Sequence, residues 1–104
     1  MRGNEEVLLR AILAVVARQT FPPRELYAIV APKSGMQKQV QAYNLCDGSR
    51  TQGEIAKLLG LDSGNFSKSV KRWIDAGVMT KVIADGVEKP IHVYPLPENL
   101  GAQS

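Results

Sequence analysis

The chain has 104 residues, 44% of them hydrophobic and 22% charged, with a formal net charge of +3; that length suits one compact domain, and that composition is unlike a disordered chain. Its single cysteine, Cys46, excludes an internal disulfide and a cysteine-paired zinc site, and its longest apolar run, Ala11 to Ala17, is far short of the roughly twenty residues that span a bilayer. Glu5 and Glu6 ahead of that run are unlike a secretory signal, so the expectation is a cytoplasmic protein with no membrane partner.

Asn4 to Gln19 predicts a helix, with Asn4 as N-cap, acids in the first turn and Arg18 near the end, before Phe21-Pro22-Pro23 breaks it. Its apolar residues, among them Val7, Ala11 and Val15, occupy more than one stripe, more than one neighbouring surface easily buries. Pairing with a second copy is therefore expected, through Leu8, Leu9, Ile12, Leu13 and Val16; the alternative is a central helix enclosed by its own domain. A short helix follows over Arg24 to Val30, then a connection through Pro32-Lys33-Ser34-Gly35, and a further helix over Met36 to Leu45 that Asp47-Gly48-Ser49 ends.

Thr51-Gln52-Gly53-Glu54 has the capping-box spacing, in which the Thr hydroxyl takes the third amide and the Glu carboxylate reaches back. Ile55, Ala56, Leu58 and Leu59 give the helix an apolar face, and Gly60 ends it in the left-handed conformation. Asp62 is the next N-cap, and Phe66, Val70 and Trp73 recur at helical spacing up to Gly77. Two strands, Val78 to Ala84 and Val87 to Tyr94, flank Asp85-Gly86, a type I′ hairpin signal, with Pro90 assigning its strand to an edge. Pro95 to Ser104 reads as an extended tail.

Charge is uneven along the chain. Arg50 to Lys81 holds six bases against Glu54, Asp62 and Asp75, whereas elsewhere seven bases meet seven acids. A local basic excess of that kind fits a nucleic-acid footprint, and also fits a solvated helix face.

The run Thr51-Gln52-Gly53-Glu54-Ile55-Ala56-Lys57-Leu58-Leu59-Gly60-Leu61-Asp62, then Asn65-Phe66-Ser67-Lys68-Ser69-Val70-Lys71-Arg72-Trp73 and Asp75-Ala76-Gly77-Val78, resembles the MarR-like and ArsR-like winged-helix regulators over roughly residues 36 to 94. Gly64 early in the recognition helix and Trp73 in place of an aliphatic residue depart from that pattern. The resemblance implies an α+β, mostly α winged helix-turn-helix: a three-helix core plus a two-stranded β-hairpin wing, with an additional N-terminal helix. The resemblance makes 36–94 the DNA-binding domain; residues 1–35, a helical extension read as dimerising from its apolar faces, and the tail 95–104 lie outside it. It implies a dimeric transcriptional regulator on palindromic double-stranded DNA, with no enzymatic activity and no cofactor or metal. A pocket for a small-molecule effector between the N-terminal helices and the winged domain is compatible with it.

On the recognition helix, the face opposite Phe66, Val70 and Trp73 collects Gly64, Asn65, Lys68, Lys71, Arg72 and Asp75. Ser63, Asn65, Ser67 and Lys68 lie early enough to reach base edges, Gly64 would let the backbone approach a phosphate, and Lys71 and Arg72 fall where phosphates run. By resemblance, Arg50, Thr51 and Gln52 are phosphate contacts at the preceding helix N-terminus. The wing adds Lys81 and Lys89, with Glu88 beside Lys89 as a counter-charge, and His92, which has no histidine or cysteine partner for a metal, is either a strand residue or a phosphate donor.

Plainer readings stand beside these. Cys46 is a small packing residue rather than a redox sensor, Phe66 and Trp73 are core rather than stacking platforms, and Asp62 and Asp75 are a cap and a surface charge rather than a catalytic pair. A winged-helix protein-interaction module within a larger assembly is the alternative function, distinguished by apolar rather than basic residues on the exposed face.

Overall fold

The computed structural model describes residues 2–33 and 35–97 of the chain. They form five helices and one hairpin: α1 (Arg2–Thr20), α2 (Pro23–Val30), α3 (Gln37–Leu45), α4 (Gln52–Leu59), α5 (Ser63–Asp75), β1 (Met79–Ala84) and β2 (Val87–His92). The protein is α+β and mostly helical, in an order compatible with a winged-helix layout. Among the described residues no helix is long and apolar enough to cross a membrane.

Local chemistry explains most of the boundaries. Asn4 lies within the first turn of α1 rather than ahead of it, since the helix already begins at Arg2. At the other end Pro22 disfavours helical backbone at Phe21, and Pro23 opens α2 at a position where its missing N–H costs nothing. Both halves of the capping box on α4 are made: the Thr51 hydroxyl accepts from the Glu54 N–H at 3.1 Å, and the Thr51 N–H donates to Glu54 Oε1 at 2.9 Å. Gly60 then stops α4 at φ 65°. The Asp62 carboxylate caps α5 by accepting from the Asn65 N–H at 2.8 Å.

The strands pair antiparallel from Met79↔His92 to Ala84↔Val87. Asp85 at φ 55° and Gly86 at φ 77° both take the left-handed backbone that a type I′ turn requires. A one-residue bridge, Asp47↔Ile91, attaches the α3–α4 connection to β2. Backbone bonds on either side secure it, from His92 N–H to the Cys46 carbonyl at 2.7 Å and from Gly48 N–H to the Pro90 carbonyl at 3.0 Å.

One core joins these elements. Leu26 and Val30 of α2, Val40 and Tyr43 of α3, Ile55 of α4, and Phe66, Val70 and Trp73 of α5 are all buried in it. The segment after β2 belongs to it as well. Tyr94 and Leu96 are buried, the Tyr43 hydroxyl donates to the Tyr94 carbonyl at 2.8 Å, and Asn44 clamps Leu96 by donating to its carbonyl at 2.7 Å and accepting from its N–H at 2.8 Å. The expected tail is thus, as far as Pro97, a strap across α3; its remainder, 98–104, lies outside the described residues.

Candidate nucleic-acid interface

Helix α5 is held from one side only. Phe66, Val70 and Trp73 are buried, and the Trp73 ring meets Tyr43 and Phe66 edge-on at centroid distances of 5.6 and 6.2 Å. These contacts fix the rotation of the helix about its axis, so residues between them must face outward. Ser63, Gly64, Asn65, Ser67, Lys68, Lys71 and Arg72 are all exposed.

The exposed residues are not equivalent. Arg72 donates to the carbonyls of Ile29 at 3.0 Å and Val30 at 3.4 Å, which satisfies acceptors at the C-terminal end of α2 that have no partner within their own helix. Its guanidinium is thereby engaged in joining α5 to α2. Gly64 has an internal explanation too, because a Cβ there would stand 3.3 Å from the capping carboxylate of Asp62. Lys68 and Lys71, by contrast, have no ion-pair partner among the described residues.

At the start of α4, the Thr51 hydroxyl is occupied by its cap and Gln52 is half-buried. Arg50 Nη1 lies 3.7 Å from Asp47 and 3.3 Å from the Ser49 hydroxyl. Partial burial pushes the Asp47 carboxyl up, but bonds from the Ser49 hydroxyl and amide, with Arg50 nearby, bring it below its ordinary value. Thr51 holds the Glu54 carboxyl low through its backbone N–H. These groups form a charged rim ahead of α5, and Lys57 adds an exposed cation beside Arg50. Lys57 was absent from the residues anticipated from sequence, although it falls within the basic window.

The hairpin presents fewer free charges. Lys81 Nζ stands 3.6 Å from Glu88 Oε2, a diagonal cross-strand pair on one face. Glu88 therefore balances Lys81 rather than its neighbour Lys89, which is half-buried on the opposite face and adds to the positive field at Glu54. His92 is withdrawn from the surface altogether: it is buried, stacked at 5.2 Å against Tyr43, and in contact with Arg10. Its place at the base of the hairpin, paired with Met79, turns it inward, so it cannot serve as a phosphate donor.

Cys46 is also buried, donating to the Ala42 carbonyl at 3.2 Å, and burial pushes its thiol up to about 12. A thiol so far from thiolate at neutral pH is inert packing.

A second feature lies on α1. Leu8, Leu9, Ile12, Leu13 and Val16 are 41 to 65% exposed, and Val7 and Val15, which the sequence reading left out of its pairing set, are open as well. Inward contact comes instead from Arg10, Ala14 and Ala17.

Comparison with protein-family models, curated proteins and solved structures gave no match for this chain.

Proposed function

We propose that this protein is a sequence-specific, double-stranded DNA-binding regulator of the winged helix-turn-helix type, working as a homodimer with α5 in the major groove and the β1–β2 hairpin as the wing. The observation that carries the reading is the division of α5: three buried side chains lock its inner face, while Asn65, Lys68 and Lys71 stand on its outer face, the two lysines without an ion-pair partner among the described residues. A rigid helix with unspent donors and cations is the form in which base edges and phosphates are read together. The order α3, α4, α5, hairpin, with the one-residue Asp47 bridge alongside β2, supports the same layout.

Selection of bound sites from a pool of random duplexes tests this directly. Enrichment of a two-fold symmetric sequence is expected, and a folded protein that enriches nothing overturns the reading.

One observation favours a protein contact at the hairpin tip alone. Ile83 is 72% exposed there, while Lys81 is already paired with Glu88. If the wing lies on DNA, alanine at Lys81 and Lys89 weakens binding to all duplexes alike; unchanged affinity at low salt assigns the tip to a protein partner.

A further inference from the structure

The body-facing side of α1 is narrow. Arg10, Ala14, Ala17 and, just beyond the helix, Phe21 are its half-buried or buried positions, spaced four, three and four residues apart. At 100° per residue the direction opposite that stripe is occupied by Glu5, Leu8, Ile12, Val15 and Gln19, spaced three, four, three and four. This is the spacing of a coiled-coil seam, and Leu9 and Val16 widen it on one flank. All seven of these residues are exposed. Among the described residues, nothing of the same chain covers this seam, which points directly away from the domain that carries it.

We infer that a second copy of this chain covers the seam, its α1 packed antiparallel against the first and crossing near Ile12. This rests on the dimeric part of the proposed function and gives it a geometry. Charge chooses the direction. In a parallel pair Glu5 of one copy would oppose Glu5 of the other within the apolar seam, where like charges are costly. In an antiparallel pair Glu5 instead meets the other helix at the uncharged Gln19, one residue from the Arg18 cation. The Arg18 guanidinium lies over the Tyr94 ring at 4.9 Å and has no carboxylate partner among the described residues. Opposed helix dipoles favour the same arrangement. Acidic groups at one end of the seam also make an anionic membrane surface a poor alternative occupant.

The test is sedimentation of the full chain without DNA, followed by cross-linking. A dimer at micromolar concentration is expected, and Ile12→Glu, checked for folding by circular dichroism, weakens it by more than about a hundredfold because two unpaired carboxylates meet at the crossing. Mixing Leu8→Cys with Val16→Cys proteins, which keep Glu5 and Arg18, reports direction, since both positions are exposed four residues from the crossing and the native thiol is buried. Disulfides joining the two variants to each other support the antiparallel pair. A wild-type monomer, a dimer indifferent to Ile12→Glu, or cross-links only within each variant overturns the inference. A dimer that ignores every duplex would leave it standing while the DNA reading fails, and a DNA-binding monomer would do the reverse.

Discussion

Arg10 of α1 donates through Nη1 to the His92 carbonyl at 2.6 Å, and its Nη2 lies 3.3 Å from Nδ1 of the same histidine. An arginine can only donate, so Nδ1 accepts and the ring is neutral, its proton on Nε2. Burial pushes the His92 pKa down, and the Arg10 charge pushes it further the same way. The helix that bears the exposed seam is thus fastened to the base of the hairpin by a contact that requires an uncharged imidazole.

Stability should therefore depend on pH in the mildly acidic range. His92 binds a proton more readily when unfolded, near pH 6.5, than when folded, so its contribution is complete above that value and is lost as pH falls from there towards the lower folded pKa. The slope in that window is at most about 1.4 kcal/mol per pH unit for one group. Asp47 and Glu54 have depressed pKa values and carry the same sign, but their contribution disappears only in the more acidic carboxylate range. Urea unfolding of wild type and His92→Gln at a series of pH values separates the two, and a wild-type stability flat between pH 7 and 5 would show that His92 does not titrate as described.

The strap after β2 gives a second expectation. Leu96 is buried, and its backbone is held at both ends by Asn44. Leu96→Ala should cost about 2–5 kcal/mol by opening a cavity, and Asn44→Ala a further cost by freeing the strap. Stability equal to wild type in Leu96→Ala, measured by thermal melting, would mean that this segment does not contribute to the core.

What was legible in the sequence is what local chemistry decides. The capping box at Thr51, the Asp62 cap, the Gly60 stop, the Asp85-Gly86 turn and the Phe66-Val70-Trp73 stripe each depend on residues a few positions apart. What was not legible depends on partners far away in the chain. Arg10 meets His92 across 82 residues, Asn44 meets Leu96 across 52, and Arg72 meets Ile29 across 43. Nothing in the spacing of Lys71 and Arg72 distinguishes a free cation from one occupied by a carbonyl, so both appeared equally suited to a phosphate. His92 is the strand residue that one reading expected, and the choice against a phosphate donor was open for a related reason: alternation along a strand gives two faces, but only the pairing and the packing of α1 and α3 say which is inside.

The difference between Lys71 and Arg72 can be measured. A phosphate contact releases counterions, so Lys71→Ala should weaken all duplexes similarly and reduce the salt slope by about 0.9. Arg72→Ala should leave that slope unchanged and instead lower folding stability by roughly 1 kcal/mol, the usual net value of a surface hydrogen bond. Equal loss of salt slope in both variants would assign Arg72 to DNA and its carbonyl contacts to the unbound protein only.

The reading of bases is the most demanding part of the proposal, and it falls on Asn65 and Lys68. Asn65 donates its backbone N–H to the Asp62 cap, its side-chain amide has no hydrogen-bond partner among the described residues, and both Asn65 and Lys68 are exposed in the first half of α5. An amide can pair with the N6 and N7 edge of adenine and an ammonium with the O6 and N7 edge of guanine, so each discriminates between base pairs as a phosphate contact cannot. Asn65→Ala or Lys68→Ala should cost roughly 1–3 kcal/mol on the selected site and relax preference at one position, with a smaller loss on random duplex. Trp73→Ala provides the comparison for misfolding, because removing a fully buried indole should cost roughly 3–5 kcal/mol of stability before any DNA is added. Affinities for selected and random duplexes, measured for each folded variant, then distinguish reading from anchoring. If both Asn65→Ala and Lys68→Ala retain the affinity and preference of the wild type, α5 is not the reading element, and the basic face must serve another partner.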